Sequence, residues 1–94
     1  MESEWVKVTT ETQFFYHLKR GEIIAFRIEN SEAFVDRLDN GAYRVIINHP
    51  FMPAVEYVAE TEDQVKQFFR ELKQRDVCFW VCPGATLKEQ EAPA

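Results

Sequence analysis

Residues 10–20 read TETQFFYHLKR and residues 61–75 read TEDQVKQFFRELKQR, and each segment is flanked on both sides by alternating, β-rich sequence. A chain of 94 residues that states strand–helix–strand twice has few ways to bury two amphipathic helices. Each TExQ segment predicts a helix start. The Thr10 and Thr61 hydroxyls accept from the amide three residues on, while Gln13 and Gln64 reach back to the cap. Glu11, Glu62 and Asp63 fall in the first turns and Lys19, Arg20, Lys73 and Arg75 in the last, the signs that suit the helix dipole. Val65, Phe68, Phe69 and Leu72 make one apolar stripe, and Phe14, Phe15 and Leu18 make a shorter one.

WVKVT and VEYVAE precede the two helices, and EIIAFRI and DVCFWVC follow them. Between the two units, Asp39-Asn40-Gly41 marks a tight turn joining AFVDRL to AYRVIIN. The segment HPFMP is a rigid connector, since each proline holds its predecessor extended. The expected order is β1 (5–9), α1 (10–20), β2 (22–29), β3 (33–38), β4 (42–48), β5 (55–59), α2 (61–75) and β6 (76–82). That order is α+β: two strand–helix–strand units sharing one mostly antiparallel sheet, with both helices on one face. It resembles a ferredoxin-like plan with an added central hairpin. One domain is expected over 1–84, with a flexible tail over 85–94 because ATLKEQEAPA lacks periodicity.

The formal net charge of −5 argues against nucleic acid, which needs clustered Lys and Arg. The longest apolar runs fall far short of the ~20 residues of a membrane span. The opening MESEW lacks the basic-then-apolar order of a signal peptide, so a cytoplasmic protein is expected.

Chemistry-bearing residues are sparse. Cys78 and Cys82 on one strand would stand ~13 Å apart, too far to bridge each other. With no Cys/His cluster, neither a metal site nor a cofactor is expected. Cys82 is the single catalytic candidate: it ends a strand before Pro83-Gly84, where a thiol can act as nucleophile or sulfur carrier. Against this, a free cysteine more often packs as a small hydrophobe. His17 falls off the apolar stripe and should be solvated, and His49 begins the proline loop.

Aligning the two units on their Phe-Phe pairs sets Cys78, Trp80 and Cys82 against Ile24, Phe26 and Ile28, the expected core face. Val77, Phe79 and Val81 then fall on the far face with Ala25 and Arg27 of β2. An apolar sheet face that the helices do not cover is a mark of an interface. The sequence therefore predicts a small acidic module that binds a protein partner through Val77, Phe79, Val81, Ala25 and Arg27, with self-association expected. Inhibitor or adaptor action fits this reading, and a thiol-dependent enzyme or carrier is the alternative.

Overall fold

Both helices begin where their sequences place them. The computed structural model describes residues 5–83. In it α1 (Glu11–Lys19) is capped by Thr10 and α2 (Glu62–Gln74) by Thr61, each with a complete capping box. Gln13 Oε1 accepts from the Thr10 amide at 3.3 Å, and Gln64 Oε1 from the Thr61 amide at 3.2 Å. The expected tail, 85–94, lies outside the described residues.

The strands are β1 (Val6–Val8), β2 (Ile24–Ile28), β3 (Ser31–Arg37), β4 (Tyr43–Asn48), β5 (Val55–Ala59) and β6 (Phe79–Val81). They form a six-stranded sheet in the order β1-β6-β2-β3-β4-β5, antiparallel at every pairing. The fold is thus α+β. The passage from β1 to β2 spans one strand, β6, whereas that from β5 to β6 spans β4, β3 and β2. The β3–β4 turn follows its residues: Gly41 takes φ +89° and its amide donates to the Leu38 carbonyl at 3.0 Å. The β2–β3 turn is tighter than the sequence predicts, because Ile28 pairs directly with Ser31.

Both helices lie on one face of the sheet. Salt bridges Lys19–Glu62 (2.8 Å) and Glu11–Arg70 (3.0 Å) join the start of each helix to the far end of the other, so the two run antiparallel. The Lys19 ammonium titrates above its usual range and the Glu62 carboxyl below its own, each chiefly through their mutual hydrogen bond. Beneath the helices the core is aromatic. Phe14 packs on Phe69 and Phe79, Phe26 packs on Phe68 and Phe79, and Phe15 meets Tyr43 edge-on.

Both helices also end alike. The Gly21 and Glu22 amides donate to the Leu18 and His17 carbonyls, and the Asp76 and Val77 amides donate to those of Lys73 and Leu72. These are Schellman closures, which require a left-handed residue at the turn. Gly21 (φ +83°) supplies it in the first unit and Asp76 (φ +60°) in the second. A side chain there is strained where glycine is not. Asp76→Gly should therefore raise stability by roughly 0.5–1 kcal/mol, read as a shift in urea midpoint at constant slope.

The second closure corrects the face assignment of β6. Asp76 stands one position further from its Phe-Phe pair than Gly21 does from the first pair, so aligning the units on phenylalanines puts their last strands out of step. A one-residue slip in a strand exchanges its two faces. Phe79 pairs with Phe26 and Val81 with Ile24, so both point under the helices. Phe79 is 0% exposed and Val81 is likewise buried, while Val77 is buried at the helix closure. Those three residues are core, not the uncovered face. Trp80, expected in the core, is 41% exposed.

Candidate functional site

The surface opposite the helices is built from the alternate residues of each strand. Ala25 and Arg27 lie on it as the sequence predicts, and they share it with Trp80. Reading across the register, Lys7 stands opposite Trp80, Trp80 opposite Ala25, Ala25 opposite Phe34, Phe34 opposite Ile46, and Ile46 opposite Glu56. One row therefore crosses all six strands of the sheet, apolar through its middle and charged at both ends. Lys7 and Glu56 are exposed, and Ala25, Phe34 and Ile46 are half-buried by their own neighbours.

Ion pairs flank this row on both sides. Arg27 Nη2 donates to Glu32 Oε1 at 3.0 Å across β2 and β3, with both side chains in solvent. On the other side, Arg44 donates twice to Asp36, at 3.0 and 2.9 Å, across β3 and β4. Asp36 is buried and Arg44 largely so. The bidentate fit satisfies a carboxylate that burial would otherwise penalise. Beside Trp80 the face deepens into a groove of about 690 Å³, bordered by Trp5, Ala25, Arg27, Phe34, Cys78 and Trp80. Two indole rings, an arginine fork and a bare strand surface give it the mixture of apolar area and directed donors common at protein interfaces.

The other candidates are occupied. Cys82 is 5% exposed and Cys78 is exposed; both are free thiols, and neither bridges the other. His17, expected in solvent, instead places Nδ1 2.7 Å from Oε1 of the buried Glu22, tying the end of α1 to the entry of β2. His49 Nδ1 lies 3.0 Å from Ser31 Oγ. Each histidine thus directs its Nδ1 to a neighbouring side chain, Glu22 for His17 and Ser31 for His49. Among the described residues no group of His, Cys, Asp and Glu could hold a metal ion, and no helix is long and apolar enough to cross a membrane.

Trp80, Phe34 and Ile46 join this face without being expected there from the sequence. The signal that finds Trp80 is the length of the α2 closure: counting alternation from Asp76 rather than from Phe69 puts Trp80 outside. A separate apolar feature stands on the proline loop, where Phe51 is 97% exposed and Met52 is also exposed. Compared with protein families, curated proteins and solved structures, the chain finds no match.

Proposed function

We propose that the protein is a small binding module that captures a protein partner on the open face of its sheet, acting as an adaptor or inhibitor. The observation that carries this reading is the exposed Trp80 in a row, apolar through its middle, that no described helix covers. An exposed tryptophan beside half-buried apolar residues is of the kind that anchors interfaces. The placement of the helices supports it: both pack on the same side of the sheet, and no described helix lies on the other.

The test is position-specific photocrosslinking in the native host. A photoreactive residue at position 80 should give discrete protein adducts, whereas the same residue at Tyr16, more exposed but on α1, should give none of them. Identical adducts from both positions, or none from either, would overturn the assignment. Trp80→Lys should abolish the adducts of a photoreactive residue at position 34 while leaving the circular dichroism of the chain intact.

A further inference from the structure

The charges on the open face name its occupant. We infer that the face binds a second copy of this chain, sheet against sheet, about a two-fold axis running parallel to the strands. This rests on the open face being the binding surface, and it specifies the partner.

Such an axis reverses the order of the row. Lys7 of one copy then lies over Glu56 of the other, Trp80 over Ile46, and Ala25 over Phe34. Opposite charges meet at both rims, and the small Ala25 receives the large Phe34. The neighbouring row behaves the same way, because Arg27 and Glu32 are adjacent across β2 and β3 and reversal places each over the other. A two-fold axis along the row instead would set Lys7 over Lys7 and Glu56 over Glu56, a costly juxtaposition of like charges. The pattern therefore selects one of the two symmetric ways of stacking this sheet, and an isologous contact of this kind closes at a dimer. Aligned packing of two twisted sheets tolerates the ~30° between their strands.

The area sets the strength. Six strands at ~4.8 Å spacing and about five residues of length at ~3.3 Å give a footprint on the order of 400 Å² per copy. That falls at the small end of specific interfaces, where association is weak and transient. The dimer should accordingly form in the micromolar range or above, and high salt should weaken it, since its rim contacts are solvent-exposed ion pairs.

Sedimentation equilibrium of the full chain from ~1 μM to ~1 mM at low salt tests the arrangement. The wild type should pass from monomer to dimer. Lys7→Glu and Glu56→Lys should each weaken dimerisation about tenfold, because each places two like-charged pairs at the rim of the symmetric complex. Lys7→Glu/Glu56→Lys should return to within about threefold of the wild type, since the exchange restores both pairs. A double variant as weak as the sum of its singles would overturn the two-fold arrangement. A wild type that stays monomeric to ~1 mM would overturn the second copy as occupant. Photocrosslinking from position 80 to a different protein would still stand in that case, so the failure of this inference and the failure of the binding face are read from separate experiments.

Discussion

Phe79→Lys should leave the protein unfolded at room temperature, with far-ultraviolet circular dichroism collapsed and no cooperative melt. The Phe79 ring is fully buried, with ring centroids 5.3 Å from Phe14, 5.2 Å from Phe26 and 5.0 Å from Phe69. Truncating such a ring costs ~3–5 kcal/mol, and an unpaired ammonium in the same space adds several more. Together these match the whole net stability of a chain this size, roughly 5–14 kcal/mol. The adjacent Trp80→Lys should fold normally, because its side chain lies on the uncovered face. The contrast between consecutive residues is the check. A folded, soluble Phe79→Lys would reverse the face assignment of β6.

Arg44→Leu should cost about 3 kcal/mol, measured as a fall in urea midpoint at unchanged slope. The substitution leaves the buried Asp36 carboxylate without the two hydrogen bonds, at 3.0 and 2.9 Å, that offset its desolvation. Asp36→Val/Arg44→Leu should recover most of the loss, since an apolar pair at a buried cross-strand position replaces an ion pair at little net cost. A double variant less stable than Arg44→Leu alone would show that the pair contributes more than its own satisfaction.

Much of the architecture is legible in the residues. Thr10, Gln13, Thr61 and Gln64 announce the helix starts because a capping box is local chemistry, complete within four residues. Asp39-Asn40-Gly41 announces its turn for the same reason. The β2–β3 turn is less legible: Glu29 sits at φ +55°, a conformation its side chain resists, and tertiary pairing of Ile28 with Ser31 holds it there. The face of β6 is not legible from the repeat, because Asp76 occupies a left-handed position that sequence ordinarily signals with glycine. Reading Asp76 as the first residue of a strand instead of the last of a closure reverses Val77 through Val81. Ala25 and Arg27 escape this error, since Gly21 marks the corresponding closure openly. Strand order is a sum of non-local pairings, and no single residue states it.

The sheet order has a kinetic consequence. β6, the last of the strands in chain order, inserts between β1 and β2 and hydrogen-bonds to both. Until it arrives, β1 has no neighbour, and the Phe14–Phe69 aromatic pair between the helices has no floor. The hairpins β2–β3–β4–β5 can zip early through short loops, but the first and last described strands must find each other across the full length between them. Such a pairing carries the largest loop-closure cost in the sheet, the kind of contact that slows folding. Without β6, one edge of β2 is an unpaired row of backbone donors and acceptors, a template for association that β6 alone covers.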